Sequence, residues 1–580
     1  MKLSDFVITF LQKKGIRHFF GYQGTMIAHI VDSIERNPET ENHSCYHEQA
    51  AAFAACGYAQ AKKECACAYA TSGPGAVNLL SGVADAYYDS LPVIFLTGQL
   101  NTYEYSGIKG LRQQGFQETD IVSMAGPITK YAVQIRNPED IVRELNYAFH
   151  VATTGRKGPV LIDLPMDMQR SEVKNPVYDM TFQEEDFDSN QADQAAEAIL
   201  DSLKAAHRPV ILLGHGVDNE PGQRELLRFA QKRQIPIITS VLAKSVLPFD
   251  HPLNFGCIGG AYGHRYANMI ANAKSDLLIC LGISLCTRQI GTKVQEFAKN
   301  AKIIRVDIDP YNLQRKIHKD GINEEKFQTD ASQVIVRLNR ACCKEQKNSG
   351  EWMAVCNEIK ECLQAVDDYT PERYPNRMIG SISDMLEDIS AVSIDVGQHM
   401  VWSYQSFKNR KGQELLFSGG HGAMGYGLPA AIGAYYATGK PVACICGDGA
   451  FQMNIQELEW VKRENIPIKM IIMNNQALGM IRHLQKDYFD GLFAGTTEEC
   501  GFSSCDFSRV ALAYGIPSER IKCDDVQEKA QDFLEGKGPK LLEIMLEPGT
   551  FAYPKTCLGE PIHNQQPYIP KDVYEKLMNL

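Results

Sequence analysis

Two stretches decide the fold: PVACICGDGA at residues 441–450 and IKMIIMNN at residues 468–475. Each begins as a short apolar run of strand length, and Phe451, Ile455 and Leu458 recur between them at helical spacing. The unit therefore reads strand, loop, helix, strand. In an open parallel sheet the loops at the carboxyl ends of the strands border the ligand crevice. Both Gly447-Asp448-Gly449 and Asn474-Asn475 fall at such ends, so Asp448 and Asn475 are expected to meet around one ion. A carboxylate, an amide oxygen and a backbone carbonyl suit a hard octahedral cation that keeps phosphate oxygens as its other ligands. Gly449 lets the backbone approach, and the following helix offers free N–H groups to an anion. Either motif alone is also compatible with a turn or a strand-end cap. Together, in this strand context, they read as a magnesium and diphosphate site.

The remaining composition narrows the class. A chain of 580 residues is too long for one core, and about 150 residues per domain suggests three or four domains. The net charge of −11 gives no support to nucleic-acid binding or to attachment to anionic membranes, which call for a basic surface. The N-terminal apolar stretch is helically periodic and interrupted by Asp5, Lys13 and Lys14, unlike a signal peptide or membrane span. Seventeen cysteines without a secretory signal imply reduced thiols in a cytoplasm. Cys65 and Cys67, and Cys444 and Cys446, lie two apart in apolar runs and read as buried small hydrophobes. No cysteine spacing gives reason to expect structural zinc.

Strand and helix patterns alternate throughout, which predicts α/β domains with doubly wound parallel sheets. The first unit covers residues 1–170, with strands at 18–20, 64–70, 91–97 and 160–164. A polar, acidic linker leads to a second unit at 190–342, with strands at 209–213, 236–239, 276–281 and 302–308. A charged helical connector at 344–368 precedes the third unit, 369–546, with strands at 391–394, 441–446, 468–473 and 541–545. Residues 547–580 form a C-terminal tail that is either disordered or wraps the body. Whether the first and third units share one topology is not visible at this level.

In the first unit, Glu48 opens an apolar helix after Tyr46-His47, and Gly57-Tyr58-Ala59 and Thr71-Ser72-Gly73-Pro74-Gly75 follow. Taken alone, Glu48 is also an ordinary first-turn acid facing a helix dipole. The series GYQG, YHEQAAAFAACGYA, TSGPGAVN, GFQETDIV, GPVLIDLP, VGQH, GGHGAMGYGLPAAIGA, GDGAFQMNIQEL and NNQALGM spans nearly the whole chain. In that order it resembles acetolactate synthase and its thiamin diphosphate-dependent relatives. The resemblance implies a pyrimidine-binding, a central flavodoxin-like and a diphosphate-binding domain. It implies that Glu48 serves the aminopyrimidine ring, with Gly24, Thr71, Gly73 and Asn78 nearby. Asp448, Asn475 and the carbonyl of Ala477 are the implied magnesium ligands. Gly447, Gly449, Ala450, Leu478, Gly479, Met480, Gln398 and His399 are implied to surround the diphosphate and reaction space, and Gly422 and Met424 the bent cofactor. It also implies that Glu48 of one subunit faces the clamp of another, in a homodimer or homotetramer, and that a small regulatory subunit is a candidate partner.

The implied reaction adds the cofactor's C2 carbanion to a 2-oxo acid, pyruvate above all. Loss of carbon dioxide and attack on a second carbonyl follow, with Gln117, Phe116 and Lys130 approaching from the first domain. Simple decarboxylation, cleavage of a 2-hydroxyacyl-CoA and a non-enzymatic regulatory module are the competing readings. FAD in the central domain is implied by Gly214 and Gly216 after a strand, by Arg288 and by Asp307. The pattern departs from the family at several places. Residues 256–263 carry an apparent one-residue insertion, Gln23 and Thr25 replace the usual proline and glycine, residues 101–114 diverge, and Leu484 stands where a pocket tryptophan is usual. The tail, from Tyr553-Pro554-Lys555 to Pro570, looks more like relatives that transfer an acetyl unit to nucleotide-linked keto sugars.

Overall fold

A computed structural model describes residues 1–105, 108, 110–183, 189–217, 219–317, 323–341 and 349–580. The expected linker and connector, and the divergent stretch at 101–114, therefore lie partly outside the described residues.

Three six-stranded sheets follow one another along the chain. The first comprises β1 (His18–Gly21), β2 (Glu41–Ser44), β3 (Ala66–Ala70), β4 (Val93–Gln99), β5 (Tyr131–Gln134) and β6 (Val160–Pro165). The second comprises β7 (Pro209–Leu213), β8 (Ile237–Thr239), β9 (Asn254–Cys257), β10 (Leu277–Leu281), β11 (Lys302–Asp307) and β12 (Glu324–Gln328). The third comprises β13 (Ala391–Ile394), β14 (Glu414–Phe417), β15 (Val442–Gly447), β16 (Ile468–Asn474), β17 (Ser518–Lys522) and β18 (Lys540–Met545). Every pairing within them is parallel. The central strands β3, β4, β15 and β16 are buried along their whole length, which is why they read as continuous apolar runs.

The outer sheets share one topology. The first runs β2-β1-β3-β4-β6-β5 and the third β14-β13-β15-β16-β18-β17, the same order strand for strand. The middle sheet runs β9-β8-β7-β10-β11-β12, the other doubly wound order, with its switch point between β7 and β10. The helix predicted between Asp448 and β16 is broken into Asp448–Phe451, a 3-10 segment Gln452–Glu457 and Leu458–Arg463. The break falls at Asn454, where φ is −130° and the side chain donates to the Gly425 carbonyl at 2.8 Å.

Besides a core of its own, each of the first and third domains contributes to one shared hydrophobic core. Helix Glu48–Lys62 of one crosses helix Gly427–Thr438 of the other, and only glycine fits at the crossing. A Cβ on Gly57 would lie 2.2 Å from the Ala430 carbonyl oxygen, and one on Gly433 1.9 Å from that of Ala54. The tail wraps the body: Lys555–Thr556 pairs antiparallel with Gln565–Gln566, and the buried Arg265 donates to Gln565 and Pro567 carbonyls at 2.8 and 2.7 Å. Its last helix, Lys571–Asn579, buries Leu577 in the central domain's core. The fifteen cysteines among the described residues are all unpaired, and Cys65, Cys67, Cys444 and Cys446 are buried. No helix among the described residues is long and apolar enough to cross a membrane.

Candidate functional site

In the third domain the switch point lies between β13 and β15, and the loops leaving β13, β15 and β16 converge there. Asp448 is 3% exposed; its Oδ1 accepts the Gly449 N–H at 2.9 Å, and its Oδ2 is buried without a hydrogen-bond partner. Burial pushes its pKa up to about 7, although the N–H groups of Gly449, Ala477 and Gln476 pull the other way. Asn475 donates from Nδ2 to Gln398 Oε1 at 3.2 Å, which leaves its Oδ1 for other use. Gln398 Nε2 and His399 Nε2 are likewise buried without partners. Burial pushes the His399 imidazolium down to about 3, so the ring is neutral.

Buried groups of this kind are normally satisfied. Here a bare carboxylate oxygen, an amide oxygen, an amide N–H and an imidazole nitrogen are orphaned or left free on the segments that follow β13, β15 and β16. The set fits a hard divalent cation carrying a diphosphate. Backbone approach is tight on all sides: a Cβ on Gly479 would lie 2.0 Å from Gln398 Oε1, and one on Gly447 2.9 Å from His399 Nδ1. Around Gly449 stand Leu478 at 2.6 Å, Met424 at 3.5 Å and Phe502 at 3.6 Å from such a Cβ. Ala450 and Ala477 are buried, and Met480 packs half-buried on the third domain's core.

The turn carrying Gly422 and Met424 is held by acids that sequence reading missed. Asp395 accepts the N–H groups of Gly425 at 3.0 Å and Gly427 at 2.7 Å. Asp89, from the first domain, accepts those of Gly419 at 2.8 Å and Gly420 at 2.6 Å, and Ser418 donates to Asp85. Burial pushes Asp89 and Asp395 up to about 6. Their only sequence signal is an acid inside an otherwise apolar run.

The first domain's counterpart of this site lies at its own switch point, between β1 and β3. His47 caps the helix, accepting the Gln49 N–H on Nδ1 at 3.1 Å, and Glu48 follows at 8% exposure. Asn78 donates to Glu48 Oε2 at 3.0 Å, and a Cβ on Gly75 would touch Glu48 Oε1 at 2.9 Å. Thr71 accepts the Met26 N–H at 3.3 Å, and Gly24 abuts its side chain. Gly73, at φ +61°, lies against Gln117, itself at φ +65°. Glu48, Asn78, Thr71, Gly24, Gly73 and Gln117 are thus brought together.

Lys130 is not part of this group. It precedes β5 at the amino ends of the strands, and its ammonium donates to the carbonyls of Val151 at 2.5 Å and Thr154 at 2.9 Å. Among the described residues no hydrogen bond joins Glu48 to the clamp. The segments beside the two halves are joined by Tyr46 N–H to Glu457 at 3.1 Å and Asn454 to Gln49 at 3.4 Å, in addition to the Asp85 and Asp89 bonds above.

The central domain has its own crevice of about 250 Å³ at the β7/β10 switch point, lined by Gly214, Gly216, Gly282 and Asp307 and by Asp89–Pro92 of the first domain. Gly214 and Gly216 donate to Leu281 and Gly282 carbonyls, each at 3.0 Å, and a Cβ on Gly214 would lie 1.9 Å from the Gly282 oxygen. Burial raises the Asp307 pKa. Arg288 reaches from this domain to the Gly419 carbonyl at 3.2 Å, close to Gly422. The inserted stretch supports it, since Gly260 donates to the Arg288 carbonyl at 2.7 Å.

Comparison with known proteins agrees with these three units. The N-terminal thiamine pyrophosphate binding domain of thiamine pyrophosphate enzymes matches residues 1–124, the central domain residues 196–338, and the C-terminal binding domain residues 395–544. The chain is 36% identical over 568 residues to the probable acetolactate synthase large subunit of Methanocaldococcus jannaschii, covering 94% of this chain and 92% of that one. It is 33% identical to the acetolactate synthase isozyme 1 large subunit of Escherichia coli, covering 96% of both. It is also 33% identical to the acetolactate synthase large subunit of Lactococcus lactis, covering 96% and 94%. The chain belongs to the acetolactate synthase large-subunit family of thiamine pyrophosphate enzymes.

Proposed function

We propose that the protein decarboxylates pyruvate and transfers the resulting two-carbon unit to a second carbonyl compound, using thiamin diphosphate and magnesium. The orphaned Asp448 Oδ2, flanked by Asn475, Gln398 and His399, carries this reading. When bound, thiamin diphosphate supplies the carbon nucleophile and the electron sink. Asp448, Asn475 and the Ala477 carbonyl hold the magnesium. Glu48, positioned by Asn78, holds a proton in a hydrogen bond to the aminopyrimidine ring. Met424 and Leu478 would give the bound cofactor an apolar seat beside Gly449, and Arg288 would grip a substrate carboxylate as a planar fork.

The central crevice, with its close-set glycines and Asp307, suits a dinucleotide, and we assign FAD to it. Glu48 and the clamp belong to different chains of a homodimer. Support comes from exposed apolar side chains near both halves in the chain: Val77 and Phe116 at 38% and 80%, Met453 and Tyr488 at 51% and 44%. The "large subunit" relatives make a small regulatory partner part of the same proposal.

A second acceptor class is favoured by Leu484, which is 43% exposed where an indole would close the pocket. A bulkier keto sugar fits such an open wall. Purified protein with thiamin diphosphate, Mg²⁺ and pyruvate should release carbon dioxide and form acetolactate, or a ligated product once a keto sugar is added. No pyruvate turnover with any acceptor overturns the assignment, and a colourless protein without flavin absorbance overturns FAD.

A further inference from the structure

At the amino ends of β1 and β2, on the side of the first sheet away from Glu48, three potential ligand atoms converge. In the parallel register His18 lies opposite Glu41 and Phe20 opposite His43. Side chains two apart on a strand share a face, so His18, Glu41 and His43 project together. His18 Nδ1 is 3.0 Å from His43 Nε2, and Glu41 Oε2 is 3.6 Å from the first and 3.8 Å from the second. A point equidistant from three atoms so spaced lies about 2.0 Å from each, the length of a zinc bond to imidazole nitrogen or carboxylate oxygen.

The surroundings are built to match. His43 is 4% exposed and packs against Tyr436 at a ring distance of 3.7 Å and Phe20 at 5.3 Å, which fixes its orientation. Its other nitrogen, Nδ1, faces Glu464 Oε2 at 3.5 Å. Glu464 is itself held by Tyr436 and by Arg463 at 2.9 Å. A carboxylate behind the far nitrogen of a ligating histidine sets the tautomer that leaves the near nitrogen's lone pair free. The Glu41 side chain is 65% exposed, so a fourth position stays open to water.

We propose that His18, Glu41 and His43 form a site for a divalent transition metal of the zinc type, with Glu464 orienting His43. All three ligands come from the first domain, while Glu464 and Tyr436 come from the third, so the ion braces the sheet edge against its neighbour. Two imidazoles and one carboxylate select zinc or cobalt over magnesium, which separates this site from the all-oxygen clamp at Asp448.

The test uses full-length protein stripped of metal, then supplied with excess Mg²⁺ and thiamin diphosphate, and titrated with Co²⁺. One cobalt per chain should bind with visible d–d absorption, be displaced by an equivalent of Zn²⁺, and raise the thermal midpoint. His18→Gln and Glu41→Gln, at partly exposed positions that leave the core intact, should each weaken cobalt binding at least tenfold. Glu464→Gln should weaken it about 10- to 100-fold and shift the cobalt spectrum. No cobalt spectrum in the wild type, or equal affinity in the wild type and the His18→Gln and Glu41→Gln variants, overturns the site. Unchanged affinity and spectrum in Glu464→Gln overturn its orienting role.

Discussion

Asp448 shows how one side chain can be poor for folding and good for function. Its Oδ2 is buried without a partner, a cost that the proposed cation would remove. Asp448→Asn is expected to raise the magnesium and thiamin diphosphate concentrations for half-activation at least tenfold, while the cofactor-free variant melts no lower than the wild type. Activation titrations and thermal melts read the two parts separately. Glu48→Gln should lower kcat by about 10²- to 10⁴-fold, the usual worth of a positioned proton-transfer group, with cofactor binding by equilibrium dialysis unchanged. Glu457 supplies a pH signature. Burial raises its pKa from 4.5 to about 7 against the Tyr46 and His47 N–H groups. The folded chain therefore holds its proton more tightly than the unfolded chain. The contribution is complete below about pH 4.5, falls as pH rises and is gone above about 7, a loss of about 3 kcal/mol at most. Asp448, Asp89 and Asp395 add to the decline with the same sign, so in Glu457→Gln the loss of stability between pH 5 and pH 8 should become smaller by up to about 3 kcal/mol without vanishing, as judged by urea midpoints at the two pH values.

At the scale of elements, two opposing effects meet where helix Glu48–Lys62 crosses helix Gly427–Thr438. Replacing a helix-interior glycine by alanine ordinarily stabilises by about 1 kcal/mol. At Gly433 the new Cβ would lie 1.9 Å from the Ala54 carbonyl oxygen, a backbone atom that can move only with its helix. Overpacking costs about 1 to 3 kcal/mol and wins. Gly433→Ala should lower the thermal midpoint, and, because the displaced helix begins at Glu48, also lower kcat; a raised midpoint would contradict the crossing geometry. The strands that sequence reading found are the interior ones, and the six it missed, β2, β5, β9, β12, β14 and β17, are the edges of the three sheets. Interior strands are buried on both faces and read as apolar runs, whereas edge strands such as GluGluLysPheGln at 324–328 are half-exposed and polar. Asp448 and Asn475 could be proposed from sequence because they end interior strands, whereas Glu48 could be proposed only through the motif series as a whole. Asp395 and Asp89 were not, since acids that hold a turn through space leave no spacing pattern.

For the whole molecule, the shared topology of the outer domains puts the Glu48 cluster and the Asp448 cluster at equivalent switch points of two copies of one fold. A site completed between two chains has a direct consequence. Glu48→Gln and Asp448→Asn homodimers should each be nearly inactive, but mixing them under subunit exchange should restore up to about one quarter of wild-type activity, since a mixed dimer holds one site with neither change. A site contained in one chain gives no recovery. Sequence alone determined the order of three α/β domains, because their interior strands are continuous apolar runs, and the resemblance carried by its motif series named the cofactor class that the three matching domains support. Only the tertiary structure decided the equivalence of the outer sheets, the separation of Lys130 from Glu48, the acids behind the Met424 turn and the meeting of His18 with Glu41 and His43. Each of these depends on strand register and helix crossing, which bring together residues whose separation in the chain carries no periodic signal.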